Sequence, residues 1–116
     1  MDYREIETFL HRQIPLTRAM GVTIEDYAAD RLTLVAPLEP NHNHLGTAFG
    51  GSLSALATLA GYVFIWLELD DKDCHVVVRD SAMEFRHPVR GTLRAICRRP
   101  EAVELGQFKA RFAQVG

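Results

Sequence analysis

Between Glu39 and Glu68 the 116-residue chain has no Asp, Glu, Lys or Arg. A helix lying on a protein surface needs a polar face, so this absence excludes an ordinary amphipathic surface helix. Length alone would permit a membrane span. Three features oppose one: Asn41, His42, Asn43 and His44 at the start of the stretch, the hydroxyls of Ser52, Ser54 and Thr58, and strands of alternating polarity elsewhere. The stretch is therefore read as the core helix of a soluble protein, with no membrane partner. Cysteine is scarce too. Cys74 and Cys97 have no metal-ligand spacing and read as small core residues of a reduced, cytoplasmic protein, with no metal or other cofactor expected. A net charge of −2 excludes a generic nucleic-acid binder. The opening Met-Asp-Tyr-Arg-Glu contains no secretory apolar region. Repeats, low-complexity segments and linkers are lacking, and residues 1–116 are read as one domain.

What is present is a globular composition, 47% hydrophobic and 24% charged. Ile6, Phe9, Leu10 and Ile14 recur at helical spacing, which predicts a helix over Glu5–Ile14 ended by Pro15. A short helical turn over Leu16–Met20 stops at Gly21. Val22–Tyr27 and Arg31–Pro37 read as a hairpin, with Leu32, Leu34 and Ala36 alternating with Thr33 and Val35. Glu39–Phe49 reads as a loop, Gly50 to about Leu69 as the long helix, and Val76–Phe85 and Thr92–Arg99 as two further strands joined by a turn at His87–Gly91. Pro100 suits the first turn of a last helix, with Leu105, Phe108, Phe112 and Val115 along one stripe. Four strands and one wholly apolar helix predict an α+β fold, an antiparallel sheet curled around a buried helix. A sheet of that size covers one side of the helix, and the other side is expected to meet a second subunit.

The start of the long helix is the main chemical candidate. Gly50 and Gly51 leave backbone N–H groups uncovered by side chains, which suits a developing negative charge on oxygen; close helix–sheet packing is the other reading of the pair. Ser52 reads as the helix N-cap, since no Ser-His-Asp pattern surrounds it. Ser54 and Thr58 share a helix face, either lining a pocket or bonding back to the backbone. Asn43 either joins a site or closes an Asx-turn. Asp80 is either catalytic or an arginine's partner. His42 and His44 have no carboxylate nearby in sequence, so no metal site is expected. Six arginines between Arg79 and Arg99, among them Arg86 and Arg90, offer either phosphate recognition or a solvated sheet face.

Asn43-x-x-Gly46-Thr-x-x-Gly50-Gly51, the long buried helix, Asp80 on a long strand and a turn at Pro88 together resemble the hotdog-fold thioesterase superfamily. Ile14-Pro-Leu-Thr-Arg-Ala-Met-Gly-Val22, Ala36-Pro-Leu-Glu-Pro-Asn41, Ala48-Phe-Gly-Gly-Ser-Leu53, Leu59-Ala-Gly-Tyr62 and Asp80-Ser81 are closer still to the thioesterase domain found fused to bacterial acetyltransferase domains. The resemblance implies hydrolysis of an acyl thioester of coenzyme A or of an acyl carrier protein. It also implies a homodimer or dimer of dimers, with sites at the subunit interface. Asn43, Gly51 and Asp80 would be catalytic; Phe49, Gly50, Ser52, Ser54, Thr58, Arg86 and Arg90 would bind substrate. Two positions depart from the pattern. Many relatives have a histidine where Phe49 stands, and the helix acid that serves others as general base falls about where Thr58 stands. Asp80, or else His44 or His42, would have to replace it; otherwise the chain binds acyl thioesters without hydrolysing them. Relatives also continue with further strands, so C-terminal strands are expected to be missing here.

Overall fold

A computed structural model of the chain describes residues 2–70 and 76–115. Its first elements follow from their termini. The Asp2 carboxylate accepts from Arg4 N–H at 2.9 Å and caps α1, Tyr3–Gln13. Pro15 begins α2, Pro15–Met20, at a position where its missing N–H is not needed. Gly21 ends α2 in the left-handed region at φ 74°, and a Cβ there would come within 3.1 Å of the Pro37 ring. Backbone and neighbour both require glycine at this point. β1, Thr23–Tyr27, and β2, Arg31–Ala36, form the expected hairpin, with a bulge between Ile24 and Asp26. β2 also pairs antiparallel with β3, Leu93–Arg98, from Arg31 opposite Arg98 to Ala36 opposite Leu93. Among the described residues the sheet order is β1-β2-β3. As the central strand, β2 buries Thr33 as fully as Leu32 and Leu34, so its polar position is covered as well.

A single irregular turn, α3, Leu38–Asn41, lies inside the segment expected to be all loop. α4 spans Gly50–Leu69, the bounds read from the sequence. Leu56, Leu59, Ala60, Val63, Phe64 and Trp66 are buried, and α4 packs on β2 and β3. Each large side chain there contributes roughly 1.5–3 kcal/mol by leaving water. Trp66 also meets Phe9 and Tyr62 edge-on, with ring centres 5.3 and 5.0 Å apart. By length and composition α4 could cross a membrane; the sheet accounts for its apolar character on one side. The other side, with Ser54, Thr58, Gly61 and Ile65 half-buried and Ala57 exposed, is only partly covered.

Two expectations need correction. Val76–Phe85 is not a strand: among the described residues it pairs with neither β1 nor β3, and Val77 and Val78 are 85% and 53% exposed. A strand exists only through a partner for its N–H and C=O groups, and the described residues supply none. Among the described residues three strands, not four, therefore form the sheet. The arginines consequently do not share one face. Arg79, Arg86 and Arg90 lie on this irregular segment, while Arg94 is paired with Glu25 at 2.8 Å and Arg99 with Glu68 at 2.6 Å. The last helix, α5, spans Ala102–Val115, starting two residues after Pro100; Leu105 is buried and Phe108 exposed. The side chains of Phe112 and Val115, and all of Cys74, lie outside the described residues. Cys97 is half-buried rather than a core residue.

Candidate active site

The loop before α4 is organised by Asn43. Its Oδ1 accepts from Leu45 N–H at 2.8 Å and Thr47 N–H at 3.1 Å, and its Nδ2 donates to Thr47 Oγ1 at 2.8 Å. This is the Asx-turn reading, and it leaves one Nδ2 hydrogen for a ligand. Buried Asn41 ties the loop to α2 by donating to Met20 O and Pro37 O, both at 2.8 Å. Its own carbonyl takes the Phe49 N–H at 2.8 Å. His42 Nδ1 lies 2.9 Å from Asn43 O; a carbonyl only accepts, so that nitrogen carries the hydrogen.

α4 starts without a side-chain cap. Phe49 is the N-cap, in extended backbone, and the first helical bond runs from Leu53 N–H to Phe49 O at 3.1 Å. Ser52 therefore sits in the first turn and does not cap it, contrary to the sequence expectation. The N–H groups of Gly50, Gly51 and Ser52 are the helix's orphan donors, at the positive end of its dipole. A Cβ on Gly51 would lie 2.4 Å from Phe49 Cε2, whereas one on Gly50 would make ordinary contact with the Phe85 ring at 3.5 Å. Gly51 thus gives the half-exposed Phe49 ring its place.

Gly51→Ala is expected to leave the melting temperature nearly unchanged, because a better helix former offsets a ring that can swing outward. Any turnover that uses these donors should fall by roughly tenfold or more, as they are shaded and Phe49 is displaced. A thermal melt beside a steady-state assay checks both halves.

Asn43 and Gly50 line one cavity of about 320 Å³, together with Arg86, His87 and Leu53. The sequence brought His87 forward only as part of a turn; its place on this wall comes from the Ala48 N–H bond to Val89 O at 2.8 Å, which holds the segment against the loop. Arg86 is exposed and forms a surface pair with Glu84 at 3.2 Å, an interaction worth little. Leu53 also lines a second cavity of about 320 Å³ with Leu56, Ala57, Met83 and Ile96. Ala57, Gly61 and Cys97 continue from it into a third of about 390 Å³, where Thr58 and Asp80 sit. The three follow one another along α4 as a groove with a polar mouth and an apolar length. Thr58 lies eight residues beyond Gly50, about 12 Å along the axis. Within one chain, then, Asn43, Gly50 and Arg86 share a cavity, while Asp80 and Thr58 share another. Phe49, Gly51, Ser52 and Ser54 belong to the helix start without lining these walls, and Arg90 is exposed beyond them. Burial raises the Cys97 thiol pKa, which keeps it protonated.

The helix acid Glu68 is held elsewhere. Its carboxylate accepts from Arg99 at 2.7 and 2.6 Å, from Lys109 at 3.3 Å and from the Tyr27 hydroxyl. Burial alone would raise its pKa; the bonds from Arg99, Tyr27 and Lys109 outweigh that and hold it at about 2. Such a group takes no proton near neutrality and cannot serve as a base. Among the described residues no cluster of three or more His, Cys, Asp or Glu is placed to hold a metal.

Residues 3–116 match the family described as Putative thioesterase (yiiD_Cterm), and the chain belongs to that family. Solved structures agree with the architecture. A Chlorobaculum tepidum protein of unknown function is similar at 38% identity and a TM-score of 0.89, over 97% of this chain and 70% of that one. A Shewanella oneidensis protein described as a putative thioesterase is 27% identical, with a TM-score of 0.80 over 86% of this chain and 71% of that one. A Pseudomonas aeruginosa protein described as a probable thioesterase shares the fold at 24% identity and a TM-score of 0.78, over 97% and 76% of the two chains. The fold is the α+β hotdog architecture, with its antiparallel sheet against one long central helix.

Proposed function

We propose that the chain hydrolyses an acyl thioester of coenzyme A or of an acyl carrier protein. The observation that carries this reading is the first cavity: Gly50 at the uncapped helix start, Asn43 with one free amide hydrogen and the His87 imidazole line one space, which opens onto an apolar groove. The thioester oxygen would sit at the N–H groups of Gly50–Ser52, where charge develops as water adds to the carbonyl. Asn43 Nδ2 supplies a further donor. His87 takes the proton of the attacking water and returns it to the thiolate as the carbon–sulfur bond breaks, giving a carboxylic acid and a free thiol. Arg86 meets the carrier's phosphate, and the acyl chain follows the groove past Ala57 and Gly61. Metal and redox chemistry have no part in this scheme.

Asp80 lines a different cavity from Asn43, so a role for it in the same reaction would need a second subunit. The exposed Val77, Val78, Met83 and Phe85 on the unpaired segment support a homodimer or dimer of dimers. Light scattering at micromolar concentration should show at least twice the 13.1 kDa chain mass; a stable monomer would remove this part. A second reading, a module that binds acyl thioesters without hydrolysing them, is favoured by Thr58 in place of an acid and by the engagement of Glu68.

The decisive experiment is a panel of acyl-CoA and acyl-carrier thioesters with thiol release monitored. Turnover of at least one thioester is expected. Binding by calorimetry with no thiol release would establish the second reading instead.

A further inference from the structure

A separate cleft lies between α1 and α2, away from the α4 groove. Its described walls are Thr8, His11, Arg12, Pro15 and Arg18, around a volume of about 550 Å³. None of these five side chains is a carboxylate. Arg12 and Arg18 make no ion pair among the described residues. Two guanidinium groups on one concave wall with no carboxylate among its described lining would be complemented by an anion.

The cleft is also rigid. The buried Thr17 hydroxyl is shared between Leu10 O at 3.2 Å and Ile14 O at 2.8 Å, which locks the corner between the helices. Pro15 stiffens the same corner, and the left-handed Gly21 fixes the end of α2. His11 Nε2 lies 2.7 Å from Val22 O and must carry the hydrogen, so the imidazole is anchored to the chain beyond Gly21. Ordering costs that weaken binding at a loose surface patch are therefore small here. The motif Ile14–Val22, which the hydrolytic site does not use, is what builds this corner.

We propose that the α1–α2 cleft binds the phosphate group of a small molecule, held by Arg12 and Arg18 with the Thr8 hydroxyl as a further donor. Guanidinium forks match phosphate oxygens two at a time, and several oxygens can be satisfied at once by two arginines and a hydroxyl. The volume suits a diphosphate or a nucleotide-sized ester rather than a flat protein face. The site does not depend on the thioesterase reading.

The test is isothermal titration of the full chain with inorganic diphosphate, ADP and inorganic phosphate at low salt. Diphosphate should bind at submillimolar concentration, weakening as salt is added. R12Q/R18Q should lose at least tenfold in affinity, with R4Q on the same helix unchanged and circular dichroism confirming that all variants fold. ADP binding tenfold more tightly than diphosphate would identify a nucleotide as the source of the phosphate; equal affinity for diphosphate and ADP would identify the phosphate group alone. No binding at millimolar diphosphate, unchanged affinity in R12Q/R18Q, or equal binding of an acidic peptide such as oligoglutamate would overturn the proposal.

Discussion

H87Q lowers kcat for thioester hydrolysis by about 10²–10⁴-fold and leaves KM within a few-fold, the range for removing a positioned general base. The other groups on that cavity's walls cannot do this work. Asn43 and Thr47 do not titrate near neutrality, and Arg86 stays a cation. Glu68 is ionised but fully engaged, and its place near the far end of α4 puts it about 27 Å from Gly50 along the axis. The His87 imidazole has ring nitrogens that can both accept and donate a proton. Asn43, by contrast, touches only the carbonyl, so N43A should reduce turnover without removing its pH dependence. D80N is the companion measurement. If D80N collapses turnover while H87Q stays within threefold of the wild type, the proton goes to Asp80 of a partner subunit, and the single-chain assignment is lost.

The difference between these two candidates shows where the sequence could be read and where it could not. Local signals located α1, α2, the β1–β2 hairpin and both ends of α4. Pro15, Gly21, the glycine pair and the charge-free run each constrain the backbone within a few residues of themselves. Val76–Phe85 carries an equally good strand pattern, yet pairing is not a local property, and no described strand edge takes it up. His87 was legible as a turn residue, but its place beside Asn43 depends on the Ala48–Val89 bond across some forty residues. Asn43 itself closes the turn and also lines the cavity. The cluster around Glu68 was the least legible feature. Tyr27, Glu68, Arg99 and Lys109 come from β1, α4, the end of β3 and α5, and no spacing rule connects them.

That cluster carries the largest expected change in stability. E68A should destabilise the fold by about 2–4 kcal/mol, lowering the melting temperature by roughly 10 °C. Removing one partner of a fully buried pair costs about 3–5 kcal/mol. The Glu68 side chain is 7% exposed, but that of Arg99 is 33% exposed and can find water, which argues for a smaller value. Arg99 also lies 5.6 Å over the Phe64 ring, so its release loosens the core beneath. The acid dependence gives an independent check. Glu68 titrates at about 2 in the fold against an ordinary value of 4.5. Its contribution is therefore complete above about pH 4.5 and is lost as pH falls from there through 2. At pH 7 the wild type should exceed E68A by the full difference, and near pH 2 the two unfolding curves should converge. Lys109 joins α5 to the same carboxylate, so K109A should loosen α5 with a much smaller change in global stability. Equal wild-type and E68A stabilities at pH 7, measured by urea titration, would show that the four side chains meet without holding the fold.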